Sequence, residues 1–354
     1  MKILHTADWH LGSAIDSVFP REVARDRKNE LRKAFNSMVE YADRQNVSVI
    51  MLCGDVFDKE TPLKRDKDFF LSVVKSFPHV DFLYLRGNHD KTESFEEDKP
   101  ENLITFSDEW SSIRYGNVVI SGIEITQKNN EKYPYLLNLK EEDINIVMLH
   151  GQVSDSLDGE VVLSRLRDKN IDYLALGHVH KPQERTLDER ANYCYCGSPV
   201  GRGFDEYGER GFRVLEIEDK VKSQFVLSDA TPINLFTVDV SGATDEYEAY
   251  KIIKESVKLE KAGGIVKIEL VGEIGFDADG IESQLEKMLA NSFTFVYVKN
   301  SASLKFDIDD LQKDLSLKGE FLREVLSLET LSKEQKDAVI SMGLKALQGK
   351  ELDL

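Results

Sequence analysis

The chain has 354 residues, of which 41% are hydrophobic, and its formal net charge at pH 7 is −18. This length and composition are typical of a globular protein of two or three domains. No apolar run approaches the roughly 18 to 20 residues of a membrane span, and no secretory apolar segment is visible, so we expect a cytoplasmic location without membrane association. The three cysteines, Cys53, Cys194 and Cys196, are too few for a disulfide framework.

The acidic charge is unevenly distributed along the chain. Residues 1–90 carry 14 Lys and Arg against 14 Asp and Glu, whereas the remainder carries 32 against 50. The net charge is unusual for a protein that contacts nucleic acid, because phosphate binding normally draws on clustered basic residues. A solvated helix face is the default interpretation of the local basic runs, although Arg25, Arg27 and Lys28 are weak candidates for a substrate contact.

Short apolar runs of strand length mark the first half of the chain, at 3–4, 47–53, 82–85, 118–120, 144–149 and 173–176. Several are nearly continuous, which is typical of strands buried on both faces. Between the first two runs, Leu31, Phe35, Met38, Val39 and Ala42 recur at helical spacing and predict a βαβ crossover. The repeated pattern predicts an α/β domain over 1–230, whose last strands, from Tyr193 to Leu215, resemble a β meander.

Beyond residue 232 the pattern restarts as a second, small α/β domain over 233–300. It contains alternating strands at 235–240, 265–271 and 293–298, with helical patterns at 247–259 and 281–289. The tail, 305–354, is polar and helical, with two apolar stripes formed by Phe321, Leu322, Val325 and Leu326 and by Val339, Ile340, Leu344 and Leu347.

Five short blocks combine Asp, Asn or His with glycine, and nearly all directly follow an apolar run. They are Asp8-Trp9-His10, Gly54-Asp55, Gly87-Asn88-His89-Asp90, His150-Gly151 and Gly177-His178-Val179-His180. They contain five of the seven histidines. Because ligand sites of α/β folds lie at the carboxyl ends of the strands, we expect seven side chains to converge at one sheet edge. These are Asp8, His10, Asp55, Asn88, His150, His178 and His180.

The residue types in these blocks predict a two-metal site. Asp8 and His10 are two positions apart and face one side of an extended segment, as do His178 and His180. Asp55 has two carboxylate oxygens and could bridge two ions. Nitrogen and oxygen ligands without thiolate suit manganese, iron or zinc, of which we favour Mn²⁺. Two such ions hold a phosphate and activate a water between them, so the prediction is phosphoester hydrolysis.

Further residues are candidates for supporting roles. His89 lies next to a predicted ligand but is not needed as one, so it could donate a proton to the leaving oxygen, and Asp90 could orient it. Arg86 could reach a phosphate or cap a strand end, and the sequence leaves both open. His5 and His79 lie outside the blocks, and we expect them to be structural. A single block arises easily by chance, but five in order do not.

The ordered blocks, with the second extended as Gly54-Asp55-Val56-Phe57-Asp58, resemble the calcineurin-like metallophosphoesterase superfamily. The opening Ile3 to Gly12 and the second α/β domain are similar to its DNA-repair exonuclease branch, the SbcD-type double-strand-break-repair nucleases. The resemblance implies a four-layer α/β/β/α sandwich, a small α/β capping domain at 233–300 and a C-terminal helical tail.

The resemblance also implies individual roles. Asp8, His10 and His180 would hold one ion and Asn88, His150 and His178 the other, with Asp55 bridging and His89 catalytic. It implies DNA as substrate and an SMC-like coiled-coil ATPase of the SbcC type as partner, bound by helices within 305–354, and it leaves a homodimer open. The two apolar stripes of the tail are candidates for the ATPase contact or, equally, for packing onto the body of this protein. This chain has Asp58, as many bacterial relatives do, where archaeal and eukaryotic relatives have a histidine.

Three functional hypotheses follow. The leading one is a manganese-dependent DNA exonuclease or endonuclease that hydrolyses phosphodiester bonds in DNA-end processing, recombination and double-strand-break repair beside its ATPase. The second is a phosphodiesterase or phosphatase for small nucleotides, which the acidic net charge favours. The third is a DNA-end scaffold whose metals are structural and which regulates an ATPase; the complete ligand set argues against it.

Overall fold

The computed structural model describes residues 1–15, 19–59, 61–90, 95, 99–156, 159–257, 263–276, 280–304 and 315–347. The chain divides into two units. Unit 1 comprises Met1–Phe236, Lys261–Lys267 and Ala290–Val296, and unit 2 comprises Thr237–Glu260, Ile268–Leu289 and Tyr297–Leu354. No helix within the described ranges combines the length and the apolar character that a membrane crossing requires.

The strands and helices of the described residues follow in chain order. The strands are β1 (Lys2–Thr6), β2 (Val49–Cys53), β3 (Asp81–Leu85), β4 (Leu103–Thr105), β5 (Ser111–Tyr115), β6 (Val118–Gly122), β7 (Ile144–His150), β8 (Val153–Ser154), β9 (Val161–Val162), β10 (Tyr173–Gly177), β11 (Gln183–Thr186), β12 (Asn192–Tyr195), β13 (Gly211–Ile217), β14 (Val221–Leu227), β15 (Ile233–Asp239), β16 (Ile265–Val271), β17 (Glu273–Ile274), β18 (Phe295–Asn300) and β19 (Ser303–Leu304). The helices are α1 (Arg21–Arg44), α2 (Lys64–Ser76), α3 (Tyr133–Leu136), α4 (Glu246–Val257), α5 (Ile281–Leu289), α6 (Leu317–Ser327) and α7 (Lys333–Leu347), and one 3-10 turn covers Leu163–Arg165.

The first of two six-stranded sheets has the order β14-β13-β1-β2-β3-β4. Strands β1 to β4 are parallel, and α1 and α2 form the crossovers from β1 to β2 and from β2 to β3. The predicted βαβ crossover is confirmed, because α1 buries the apolar side chains that set its helical spacing: Leu31, Phe35, Met38, Val39 and Ala42.

The second sheet has the order β11-β12-β10-β7-β6-β5, with β6, β7, β10 and β12 parallel. The expected β meander from Tyr193 to Leu215 is wrong. Strand β12 pairs with β10 in the second sheet, whereas β13 lies antiparallel to β1 in the first, so the chain changes sheets between Tyr195 and Gly211. Local periodicity identifies a strand but carries no information about its pairing partner.

The two sheets lie face to face across a shared apolar core. Alternate side chains of each strand point to opposite sides of a sheet, which explains the nearly continuous apolar runs. The inner core includes Ile3, Met51 and Leu83 from the first sheet and Ile146, Met148 and Ala175 from the second. Helices α1 and α2 cover the outer face of the first sheet, and α3 with the 3-10 turn covers part of the second. The predicted α/β fold is confirmed.

The alternation of strands and helices predicted after residue 232 is also confirmed. Strands β15, β16 and β18 form a three-stranded sheet in that order, and α4 and α5 each bury one apolar face. The predicted end of the first helix, 258–259, lies outside the described residues.

Helices α6 and α7 pack against each other through a small apolar core. Leu322, Val325 and Ile340 are buried there, with Phe321 and Leu326 partly buried against them. The stripe predicted on α6 is therefore used between the two helices. On α7, Val339 and Leu347 are exposed, and the Leu344 side chain lies outside what the structure describes.

Candidate metal centre

The polar blocks lie where strands of both sheets end. In the first sheet, β1 leads into Asp8 and His10, β2 into Asp55, and β3 into Asn88; in the second, β7 ends at His150 and β10 precedes His178 and His180. Backbone hydrogen bonds join the first two loops, since the Asp8 amide donates to the Gly54 carbonyl (3.0 Å) and the His10 amide to the Asp55 carbonyl (2.9 Å). The structure brings all seven predicted ligands together.

One half of the cluster contains Asp8, His10 and His180, whose donor atoms lie within 4.8 Å of one another. His10 Nε2 lies 3.2 Å from His180 Nε2. The Asp8 carboxylate accepts hydrogen bonds from the His178 backbone amide, at 2.9 Å to Oδ1 and 3.1 Å to Oδ2. These three side chains, which follow strands of two different sheets, are the group that the family resemblance implied for one ion.

The other half is centred on the side-chain oxygen of Asn88. Asn88 Oδ1 lies 3.0 Å from His150 Nε2 and 3.1 Å from His178 Nδ1. Asp55 lies between the two halves, because its Oδ2 is 3.4 Å from His150 Nε2 and 3.8 Å from His10 Nε2. A carboxylate in this position can contact two neighbouring ions at once.

The backbone of the cluster adopts conformations that non-glycine residues rarely occupy. Four ligand candidates have positive φ: Asp8 (53°), His10 (47°), Asp55 (52°) and His178 (98°). Only three other non-glycine residues in the described part of the chain do so. Such conformations cost on the order of 1–3 kcal/mol each and persist where the surroundings enforce them, often at functional sites.

Two glycines make room for the His150 ring. A Cβ on Gly54, which has φ of 89°, would lie 2.1 Å from His150 Nδ1, and one on Gly177 would lie 1.8 Å from the Cys53 carbonyl oxygen. Because both positions lack a side chain, His150 Nδ1 approaches the Cys53 carbonyl to 2.9 Å and donates to it. This bond fixes the tautomer in which Nε2 faces Asn88 and Asp55.

The pKa values of the clustered side chains reflect their burial and the nearby carboxylates. Burial raises the pKa of Asp8 to about 6 and lowers the pKa of His10 to about 4. Burial also disfavours a charged His150, but its hydrogen bond to Asp55 and the charges of Asp55 and Asp8 together raise its pKa to about 9. Burial disfavours the ionised form of Asp8, and His150 binds a proton beside Asp55. Cations bound in the cluster would stabilise both carboxylates in their ionised form.

The spacing of the donor atoms fits divalent ions. Neighbouring ligands on an octahedral ion with bonds of roughly 2.1 Å lie about 3 Å apart. The His10–His180 and His150–Asn88 contacts, at 3.2 and 3.0 Å, match this distance. Imidazole, carboxylate and amide donors without thiolate suit manganese, iron or zinc. The residues present therefore fit a pair of divalent cations.

His89 lies at the exposed side of the cluster. Its backbone amide donates to Asp55 Oδ1 (2.8 Å), and its ring Nδ1 lies 3.2 Å from the Asp58 carbonyl. Asp90, which we expected to orient the ring, does something else: its buried carboxylate accepts hydrogen bonds from the amides of Val56 and Gly87 and from the Tyr84 hydroxyl. It therefore fixes the loop backbone, and the Asp58 carbonyl orients the ring.

The basic substrate candidates are mostly occupied elsewhere. Arg86 makes a two-pronged ion pair with Glu124, at 2.7 and 2.6 Å. Arg27 is 2% exposed and donates to backbone carbonyls, including that of Gly201, so its assignment as a substrate contact is wrong. Helical spacing placed it on a polar face, but that face is covered by another part of unit 1. Arg25 is 72% exposed, and Lys28 is partly exposed.

Two residues of the cluster's surroundings were not identified from the sequence. Glu206 Oε1 lies 2.7 Å from His180 Nδ1, and Arg202 Nη2 lies 2.6 Å from the same oxygen. Burial opposes ionisation of Glu206, but His180 and Arg202 hold the pKa of its carboxyl well below the usual range. Both residues lie in the connection between the two sheets, away from any glycine-histidine block, so only the fold could reveal them.

Two facing sheets bring seven side chains with nitrogen or oxygen donors together at their strand ends. This arrangement is typical of the two-metal hydrolases of phosphate esters. The chain belongs to the calcineurin-like phosphoesterase family, whose model matches residues 1–182. Membership implies two divalent metal ions and makes the chain a metal-dependent phosphodiesterase.

Relatives of known name extend beyond the matched region. The DNA double-strand break repair protein Mre11 of Sulfolobus acidocaldarius is 26% identical over 339 residues, covering 86% of this chain and 84% of that protein. The SbcD component of the nuclease SbcCD of Escherichia coli K12 is 22% identical over 312 residues, covering 72% and 75%. The uncharacterized metallophosphoesterase YhaO of Bacillus subtilis is 25% identical over 295 residues, covering 77% and 71%.

Proposed function

We propose that the protein is a manganese-dependent DNA nuclease that hydrolyses phosphodiester bonds during DNA-end processing and double-strand-break repair. The observation that carries this proposal is the cluster around Asp55 Oδ2, which lies 3.4 Å from His150 Nε2 and 3.8 Å from His10 Nε2. Relatives named as a repair protein and as a nuclease component, each matching more than two thirds of this chain, support DNA as the substrate.

The proposed ligand assignment follows the two halves of the cluster. Asp8, His10 and His180 would hold one ion, Asn88, His150 and His178 would hold the other, and Asp55 would contact both. When bound, the two ions supply Lewis acidity and an activated water for attack on a phosphodiester. Two of the proposed ligands are held as neutral imidazoles, since burial lowers the pKa of His10 to about 4 and burial is also the main cause that lowers the pKa of His178.

His89 is the proposed proton donor to the leaving oxygen. With Nδ1–H donated to the Asp58 carbonyl, Nε2 is directed away from that backbone, and in the imidazolium form it would carry the proton that passes to the leaving oxygen. The buried Asp90 holds the Gly87 amide at 2.6 Å and the Val56 amide at 2.9 Å, which keeps the loop that carries His89 in place. Proton donation of this kind contributes roughly 10²–10⁴-fold to a rate.

DNA binding and the ATPase partner extend the same proposal. The net charge of −18 predicts weak binding of DNA by the protein alone, which rises when the ATPase is added. We assign residues 233–300 to a capping role and the α6–α7 pair to contact with a coiled-coil ATPase. Apolar side chains that the helix pair leaves exposed support this contact: Leu317, Val339, Met342 and Leu347.

A second candidate function is hydrolysis of small nucleotides. The acidic net charge favours it, because a small diester needs no extended basic surface. The two functions share the same metal centre and differ only in the substrate that reaches it.

The test compares DNA with a small diester. We expect the purified protein with Mn²⁺ to degrade linear duplex or single-stranded DNA and to hydrolyse bis(p-nitrophenyl) phosphate, with both activities abolished by EDTA. His89→Ala should lower both rates by about 10²–10⁴-fold while two Mn²⁺ remain bound. Undiminished cleavage by His89→Ala would refute the role of His89. Turnover of the small diester without any cutting of DNA, even with the ATPase present, would replace the nuclease by the second candidate.

A further inference from the structure

Two carboxylates lie behind the histidines of one half of the cluster. Asp58 Oδ1 is 3.1 Å from His10 Nδ1, and Glu206 Oε1 is 2.7 Å from His180 Nδ1. In both rings this nitrogen is opposite the Nε2 atom that faces the cluster, where the two Nε2 atoms are 3.2 Å apart. The Asp58 contact is within ion-pair distance but is not an aligned hydrogen bond.

Arg202 joins these two carboxylates. Its Nη1 donates to Asp58 Oδ1 at 3.2 Å, and its Nη2 donates to Glu206 Oε1 at 2.6 Å. The Arg202 backbone amide also donates to Glu206 Oε2 at 2.9 Å. All three side chains are largely buried, at 17% exposed for Arg202 and Asp58 and 5% for Glu206. A planar guanidinium is suited to this bridge because it offers several donors in fixed directions.

We infer that Arg202 is a positioning residue for one metal ion only, the ion that His10 and His180 would hold. It fixes Glu206, which orients the His180 imidazole and strengthens it as a ligand through a hydrogen bond to Nδ1. It also fixes Asp58, whose negative charge lies 3.1 Å from His10 Nδ1 and acts on that ring in the same direction. Carboxylates hydrogen-bonded to the distal nitrogen of a ligand histidine raise its basicity and set its orientation. This inference rests on the ligand assignment in the proposed function.

Arg202 Nη2 also lies close to the His180 ring itself. It lies 3.0 Å from His180 Nδ1, so the arginine can also donate to this nitrogen when the nitrogen is unprotonated. A cation on His180 Nε2 requires the proton to reside on Nδ1, and the ring then donates to Glu206. Arg202 and Glu206 thus offer a partner to His180 Nδ1 in either tautomer.

The other half of the cluster has no comparable contact among the described residues. His150 Nδ1 donates to the Cys53 backbone carbonyl at 2.9 Å, and His178 Nδ1 faces Asn88 at 3.1 Å. Substitution of Arg202 removes support from His10 and His180 and leaves the backbone contact of His150 unchanged. The prediction is therefore an effect confined to one ion.

The experiment measures Mn²⁺ binding to the full chain by calorimetric titration, with electron paramagnetic resonance to count bound ions. For Arg202→Gln we expect affinity at one site to fall by about 10- to 100-fold, while the other changes less than about twofold. Anomalous diffraction at limiting Mn²⁺ should show the lost occupancy beside His10 and His180. Arg202→Lys should recover only part of the affinity, because one ammonium cannot hold both carboxylates in fixed directions.

Arg190→Gln is the matched control. Arg190 makes a similar two-pronged pair with Asp172, which precedes β10 at the end opposite His178. We expect this variant to bind both ions like the wild type. If Arg202→Gln does not fold, Glu206→Gln provides the same test, with a smaller loss at the same site. Unchanged Mn²⁺ binding, or equal weakening at both sites, would overturn the inference. Absence of DNA cleavage by the wild type with both ions bound would instead refute the nuclease proposal alone.

Discussion

The two halves of the metal centre differ in what supports their histidines. In the first half, His10 and His180 face the carboxylates of Asp58 and Glu206, which Arg202 joins. This support consists of charged side chains. A single substitution can remove it, and its strength depends on charge and protonation.

In the second half, the support of His150 comes from the backbone. His150 Nδ1 donates to the Cys53 carbonyl at the end of β2, in space that Gly54 and Gly177 keep open. No side-chain substitution removes that carbonyl, so this half depends on how the two sheets meet. Because the supports differ, we expect an ion held in one half to respond to mutation independently of an ion held in the other, although Asp55 lies between both halves.

Substitution of Asp55, which lies between the two halves, should affect metal binding in both halves and give the largest loss of activity. Asp55→Asn removes the negative charge from the oxygen that lies 3.4 Å from His150 Nε2 and 3.8 Å from His10 Nε2. We expect loss of both ions and a fall of about 10³-fold or more in hydrolysis of bis(p-nitrophenyl) phosphate, since the ions supply several kcal/mol of charge stabilisation.

Metal content by plasma mass spectrometry and initial rates provide the measurement. Asp81→Asn is a suitable control, because Asp81 lies at the opposite end of β3 and accepts a hydrogen bond from the Tyr115 hydroxyl. Retention of two tightly bound Mn²⁺ by Asp55→Asn would show that Asp55 does not link the halves.

A substitution in the second half should weaken the ion that substitution of Arg202 leaves unchanged. Asn88→Ala removes the oxygen that lies 3.0 Å from His150 Nε2 and 3.1 Å from His178 Nδ1. We expect Mn²⁺ affinity to fall by at least about tenfold at this ion alone, by analogy with the loss of a ligand's supporting partner. The same titration reports it. If Asn88→Ala and Arg202→Gln weakened the same ion, the division into two halves would be incorrect.

The smallest expected effect near neutral pH concerns His5, which lies in the sheets beneath both halves and is not a predicted ligand. The quantity that changes is the free energy of unfolding. His5 Nδ1 lies 3.0 Å from the Tyr173 hydroxyl and its Nε2 3.2 Å from the Leu176 carbonyl, and burial lowers its pKa to about 3. Below pH 6.5 the unfolded chain binds a proton at His5 that the folded protein does not. Stability should therefore fall as pH decreases from 6.5 towards 3, by up to about 1.4 kcal/mol per pH unit.

The variant His5→Gln has no proton to take up at this position on unfolding. Its free energy of unfolding should therefore decline less with decreasing pH than that of the wild type. Urea unfolding at pH 7 and pH 5, in EDTA, measures the difference. Identical declines in both proteins would show that His5 does not remain neutral in the folded state.

Much of the site could be predicted from the sequence because its parts are local. Each predicted ligand lies in a block at or near the end of an apolar run, and strands in an α/β fold bring those ends together. The strands that coincide with apolar or alternating runs, and the helix α1, were predictable for the same reason, since periodicity is encoded within each segment.

The remainder depends on contacts between distant segments. Nothing near Arg202 or Glu206 in sequence indicates that the chain passes behind His180 on its way from β12 to β13. Arg27 looks exposed by helical spacing but donates to the Gly201 carbonyl, 174 residues away. Such roles are set by tertiary packing, which residue patterns do not encode.

Low-temperature electron paramagnetic resonance of the wild-type protein titrated with Mn²⁺ tests directly whether the cluster holds a pair of ions. Two ions that share Asp55 at roughly 3.5–4 Å should couple magnetically. We predict two Mn²⁺ per chain and a spectrum of an exchange-coupled pair once both sites are filled. A stoichiometry of one, or two ions with independent spectra, would contradict the two-metal centre proposed for this protein.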